Sequence, residues 1–268
     1  MIRTPAVAGY FYYGTGEALL NQVEGYIDED APKEEVLGVL SPHAGLMYSG
    51  AVAGSVYSRI KMPDTFILIG PNHTGMGSDI SIMSSGVWEM PMGSIKIDET
   101  LAKKILNETN IVTDDPTAHY YEHSLEVQLP FIYYFSRSVK IVPITMLSTS
   151  YEDCVELGNT LAKVIGDVEY SVVIVASSDM THYESDEVAR QKDELAIEKI
   201  LALDPEGLYT TVRRYGISMC GFAPATTMLI ATKQLGATKA ELVSYMTSGE
   251  VSGDYEKVVG YAGILIKK

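Results

Sequence analysis

Cysteine is scarce: Cys154 and Cys220 are the only two among 268 residues, too few for a disulfide framework and in keeping with a reducing compartment. Basic runs are missing as well. The formal charge is −15, which argues against a duplex-binding surface, because affinity for nucleic acid rests on lysine and arginine neutralising phosphates. No segment reaches the length of a membrane span, and Met1-Ile2-Arg3-Thr4-Pro5 lacks the apolar stretch of a signal peptide. The expectation is a soluble, cytoplasmic protein with no membrane or nucleic-acid partner. Internal repeats, low-complexity tracts and linker-like shifts of composition are also lacking, so residues 1–268 read as one domain. The chain is 46% hydrophobic and 21% charged, which is ordinary for a globular protein. At this length roughly three quarters of the unfolded surface can be buried.

What the chain does have is a recurring pattern of apolar strands that run into histidine. Val36-Leu37-Gly38-Val39-Leu40 leads into Ser41-Pro42-His43-Ala44-Gly45. Thr65-Phe66-Ile67-Leu68-Ile69 leads into Gly70-Pro71-Asn72-His73-Thr74-Gly75, and Ser171 to Ala176 into Ser177-Ser178-Asp179-Met180-Thr181-His182. Helical spacing of Leu19, Leu20, Val23 and Ile27 predicts a helix from Thr15, after an aromatic cluster at Tyr10-Phe11-Tyr12-Tyr13 that is expected in the core. Further helices are expected over 50–60, 98–107 (capped by Asp98), 123–135, 151–165, 184–202, 205–214 and 222–235. Strands are expected over 80–84, 95–97, 139–144, 241–246 and 258–266, with 247–254 as a loop or hairpin connection. The alternation is that of an α/β fold, a largely parallel central sheet flanked by helices with right-handed crossovers.

Ligands of open α/β sheets collect outside the carboxyl ends of the parallel strands, where His43, His73, Asp179 and His182 all fall. Neutral imidazole binds zinc, iron, copper and nickel, and two histidines from separate strands fix two corners of a coordination sphere. Cys220 leads the candidates for a third. It precedes a helix starting near Ala223 or Pro224, and a helix N-terminus favours thiolate; the bland alternative is a small buried hydrophobe, the role assigned to Cys154. Asp179 and His182 fit a base and its orienting partner, further ligands, or caps of the following helix. His119-Tyr120-Tyr121-Glu122-His123 matches H-x-x-E-H, in which two helical histidines bind zinc and the glutamate is a general base. Its context is poor, since Asp114-Asp115-Pro116 lies just upstream and apolar periodicity starts only at Leu125. His123 and Glu126 fit better as groups that hydrogen-bond ligand imidazoles.

Taken in order, Ala8-Gly9-Tyr10-Phe11-Tyr12, Ser41-Pro42-His43-Ala44-Gly45, Gly70-Pro71-Asn72-His73, Glu122-His123-Ser124-Leu125-Glu126, Ser177-Ser178-Asp179 with His182, and Met219-Cys220-Gly221 closely resemble the Memo family across nearly the whole chain. The resemblance implies a fold similar to the class III extradiol dioxygenases, which are non-haem iron enzymes. It implies His43, His73 and Cys220 as metal ligands, with His182 and Asp179 beside them as catalytic groups. Phe11, Tyr48, Asn72, Glu122, His123 and Glu126 would line or support the pocket. Fe(II) is the first expectation for the metal, with Cu or Zn as alternatives. Prokaryotic relatives look like parts of a system that pairs this protein with an AMMECR-type domain and a radical-SAM protein. A thiolate stands where the dioxygenases place a carboxylate, so likeness of fold does not establish ring cleavage. The resulting expectation is a redox-active metalloprotein acting on an unknown small molecule. Its rivals are a non-catalytic peptide-binding or metal-handling adaptor and a zinc-dependent hydrolase.

Overall fold

The strands that end in the histidine and aspartate loops lie side by side in the computed structural model, which describes residues 1–147 and 150–268. Gly38–Ser41 pairs in parallel with Val172–Ser177, which pairs in parallel with Thr65–Pro71, and that strand with Lys140–Met146. Every residue of Gly38–Ser41 and Thr65–Pro71 is buried, as expected for strands covered on both faces. Alternation divides them between two cores: Ile67 and Ile69 join one apolar cluster, Phe66 and Leu68 the other. Helix Phe222–Gln234, backed by Tyr151–Gly166, covers the first face. Leu46–Ser58 belongs to the second, where Val56 and Tyr57 join Phe66.

The parallel set continues through Gly93–Ile97, after which the antiparallel strand Val87–Met90 and the two-residue strand Ile2–Arg3 complete that end. At the other end Val258–Lys267 runs antiparallel to Gly38–Ser41 and also pairs with Lys239–Thr247 and His182–Glu184. The result is a single α/β domain with a mixed, largely parallel sheet. Parallel strands aligned in this way bring Pro42-His43, Asn72-His73 and Ser178-Asp179 to one edge.

Several elements depart from the periodicity. The helix expected over 50–60 begins at Leu46, directly after Gly45. Its glycines allow close packing: a Cβ on Gly54 would stand 2.2 Å from the Tyr26 carbonyl oxygen. The helix expected over 123–135 is a 3-10 turn, Glu126–Gln128, followed by the short helix Leu129–Phe135. Pro130 suits only the first turn of such a helix, and His123 is left in a loop. The stretch 247–254 contains the short helix Gly249–Ser252. Asp98 caps its helix as expected, accepting from the Leu101 amide at 3.1 Å. The aromatic cluster does not behave as core throughout, since Tyr12 is buried but Tyr10 is 90% exposed and Tyr13 58%. Among the described residues no helix is long and apolar enough to cross a membrane.

Candidate metal centre

His43 follows Gly38–Ser41 into a Pro-Ala-Gly loop and is buried. Its Nδ1 lies 2.9 Å from the Ser177 hydroxyl. That hydroxyl donates its one hydrogen to the Ser124 carbonyl at 2.7 Å and accepts from the Gln128 amide at 2.8 Å. Only an acceptor site remains for His43, so Nδ1 carries the hydrogen and Nε2 keeps its lone pair. The same reasoning holds for His73. Its Nδ1 is 2.9 Å from the Glu122 carboxylate, an acceptor, so in the neutral ring the hydrogen sits on Nδ1 and the lone pair on Nε2. His123 stacks on His73 with ring centroids 4.6 Å apart and meets His43 edge to face at 5.5 Å. Ligand atoms of His43, His73 and His123 lie within 4.8 Å of one another.

Glu122 ties this group together. Its carboxylate accepts from the His73 backbone and ring and from the amides of His123 (2.9 Å) and Ser124 (2.8 Å). Burial opposes its ionisation, but these donors and the neighbouring imidazoles prevail and hold its pKa at about 2. Burial pushes His43 well below its ordinary pKa, helped by repulsion from His123 and His73, and burial likewise lowers His123. Both rings are therefore held in the neutral form that binds metal.

Cys220 approaches from the His43 side, its Sγ 3.3 Å from His43 Nε2 and 3.3 Å from the Asp179 amide. Contrary to the expectation of a helix-stabilised thiolate, burial raises the pKa of this thiol, and the adjacent Asp179 carboxyl raises it further. Desolvation outweighs the helix N-terminus here, so an incoming cation would have to displace the proton. Asp179 is itself buried and shifted upward by burial. Its Oδ1 accepts from the amides of His43 (2.8 Å) and Ala44 (3.2 Å) and so fixes the His43 loop. His182 donates from its backbone amide to the Ser218 hydroxyl at 2.7 Å, and its Nδ1 lies 2.9 Å from the Ser218 carbonyl. A carbonyl only accepts, so in the neutral His182 ring the hydrogen sits on Nδ1 and the lone pair on Nε2.

Residues 3–265 match the Memo-like protein family. The chain belongs to the Memo family. It is 46% identical over 268 residues to a MEMO1 family protein of Methanosarcina mazei, with 99% of both chains covered, and 43% identical over 285 residues to one of Methanocaldococcus jannaschii, again with 99% of both. An uncharacterized protein of Escherichia coli K12 has a similar fold, with a TM-score of 0.62 over 86% of this chain and all of that one. At 13% identity it bears on the fold alone.

The supporting residues of this Memo-family chain divide into those at the centre and those that build its walls. Phe11 packs on His123, with centroids 4.7 Å apart. Tyr48 sits on the first turn of Leu46–Ser58. The Asn72 side chain accepts from the Thr74 amide and hydroxyl and donates to the Met76 carbonyl, so it shapes the His73 loop. Glu126 makes no hydrogen bond to any histidine. It accepts from the Arg3 guanidinium, the Tyr12 hydroxyl and the amides of Ala6 (2.8 Å) and Val7 (3.1 Å), clamping the N-terminal segment that carries Phe11. Arg3 completes the clamp by donating to the carbonyls of His119 and Glu122. No signal in a two-residue strand marks Arg3 as a support of this site.

His119 lies apart from the centre, buried against Trp88 with ring centroids 5.7 Å apart, so H-x-x-E-H forms no helical zinc site. Burial and the Arg3 charge lower its pKa from 6.5 to about 3. Below pH 6.5 the unfolded chain binds a proton that the folded chain refuses. The stability tied to this ring is therefore full above pH 6.5 and falls by about 1.4 kcal/mol per unit as the pH drops toward 3. His119→Phe is expected to make the acid limb of stability against pH shallower by one proton, measured by urea unfolding between pH 4 and 7. An unchanged slope would show that this imidazole is not held neutral.

Proposed function

We propose that this Memo-family protein is a cytoplasmic metalloprotein holding a redox-active ion, iron first and copper next, on His43, His73 and Cys220, and acting there on a small molecule. The observation that carries the reading is the pair of fixed tautomers. Ser177 and Glu122 each hold an Nδ1–H, which leaves both Nε2 lone pairs for a common ion beside a thiol. Imidazole and sulfur suit iron, copper and zinc and are poor donors for magnesium or calcium. An ion bound there would supply one-electron chemistry and positions open to a small molecule. The chain's own part is to place His182, oriented through Ser218, to take or give a proton at Nε2, while Asp179 holds the His43 loop. Proteins of the AMMECR and radical-SAM types are the proposed companions of this activity.

One observation favours a second reading. His43, His73 and His123 group as three imidazoles, a donor set that in zinc enzymes activates water for hydrolysis. Elemental analysis of protein purified without oxygen separates the two. Near-stoichiometric iron or copper, with oxygen uptake in the presence of a substrate, is the expected result. Zinc with ester hydrolysis would select the second reading, and protein that neither carries nor takes up any of these ions would overturn both.

A further inference from the structure

Phe11, which packs on His123, also lines a concavity that the proposed activity does not use. It has a volume of about 480 Å³, and Tyr10, Phe11, Tyr12, Tyr13, Tyr26 and Met47 are among its walls. Tyr12 is buried beneath it, whereas Tyr10 is 90% exposed, Tyr13 58% and Met47 59%. No slack loop carries the tyrosines. The Tyr10 and Phe11 amides donate to the Val7 carbonyl at 3.0 and 2.9 Å, and the Gly9 amide to the Tyr12 carbonyl at 2.8 Å. Gly9, at φ +83°, makes the turn possible, and Glu126 anchors both ends of it through Val7 and Tyr12. Tyr10, Tyr13 and Met47 are exposed together on this one groove, and it is such grouping of apolar surface, held by a hydrogen-bonded turn, that suits an interaction surface.

Charge indicates what it takes. Between Arg3 and Lys33 there is no lysine or arginine, while Glu17, Glu24, Asp28, Glu29 and Asp30 are all exposed. Helix Leu46–Ser58, which supplies Met47, has no charged residue at all. Tyrosine faces attract cations through the ring quadrupole, and the carboxylates of the chain segment that supplies Asn21, Gln22, Gly25 and Tyr26 to the groove add a field of the same sign, with no basic residue in that segment to oppose it. We propose that this groove docks a lysine- or arginine-bearing flexible segment of a partner protein. The site stands independently of the metal centre, although the two share Phe11 as a wall.

The test is calorimetric titration with the peptide acetyl-(Lys-Gly)3-amide and with the same peptide acetylated on its lysines. Wild type is expected to bind the charged peptide at least about tenfold more tightly than the neutral one. Tyr10→Ala with Tyr13→Ala is expected to lose about tenfold in affinity, whereas Tyr10→Phe with Tyr13→Phe retains it because the ring faces remain. Both positions are exposed, so these variants fold. Glu194→Gln with Glu198→Gln, on a helix that does not line the groove, controls for the protein's overall acidity and should bind as wild type does. His73→Ala should also bind normally, which separates this site from failure of the metal reading. Equal binding of the two peptides, or unchanged binding by the double alanine variant, would overturn the proposal.

Discussion

Glu126→Ala is expected to lower the unfolding free energy by roughly 3–5 kcal/mol, the range for breaking a buried ion pair by removing one partner. Glu126 and Arg3 are both fully buried and paired. The carboxylate also satisfies the amides of Ala6 and Val7 and the Tyr12 hydroxyl, so the alanine variant strands several donors at once. Arg3 keeps its contacts with the carbonyls of His119 and Glu122 and its place over the Trp88 ring at 4.4 Å. Carbonyls do not compensate a guanidinium charge, and a buried charge without a counter-ion is the most expensive state available. Tyr12→Phe removes only one donor and should cost about 1 kcal/mol. Denaturant unfolding of the three proteins measures this directly. A Glu126→Ala loss no larger than that of Tyr12→Phe would show that the clamp does not bear on stability.

The same clamp shows why some of the site was legible and some was not. The central strands are legible because residues buried on both faces must be apolar throughout, and His43 and His73 because each follows such a strand into a loop; that loop leaves His73 exposed, but more distant elements bury His43. Cys220 was legible from its place ahead of a helix, but its protonation was not: desolvation by elements distant in sequence overrides the local helix effect. By motif His123 reads as a support for ligand imidazoles, yet it sits in the group with His43 and His73. Its segment reads as helix by composition, and only the loop ahead of the 3-10 turn lets its ring reach that group. Glu126 reads as part of the same surroundings, but what it holds is not legible in the sequence. Its partners lie more than a hundred residues away in a segment with no periodicity of its own.

Removing a ligand imidazole should have the largest effect on the centre itself, and the tautomer argument orders the variants. His43→Ala and His73→Ala each delete an imidazole whose Nδ1 is engaged by Ser177 or Glu122 and whose Nε2 is free to donate, and if the proposed site is right both are expected to lose bound metal. Ser177→Ala leaves every proposed ligand in place but removes the acceptor that keeps the hydrogen on His43 Nδ1. Loss of such a support typically weakens metal affinity 10–100-fold, and that intermediate loss is expected here. Cys220→Ser and His123→Ala then divide the two functional readings. If sulfur completes the site, Cys220→Ser abolishes tight Cu(I) and Fe(II) binding while His123→Ala retains it. Three imidazoles completing the site instead would give the reverse, with zinc the ion most affected. Anaerobic competition titrations on the five variants read this order, and a Ser177→Ala protein that binds as tightly as wild type would show that the hydrogen on His43 is not held where the geometry puts it.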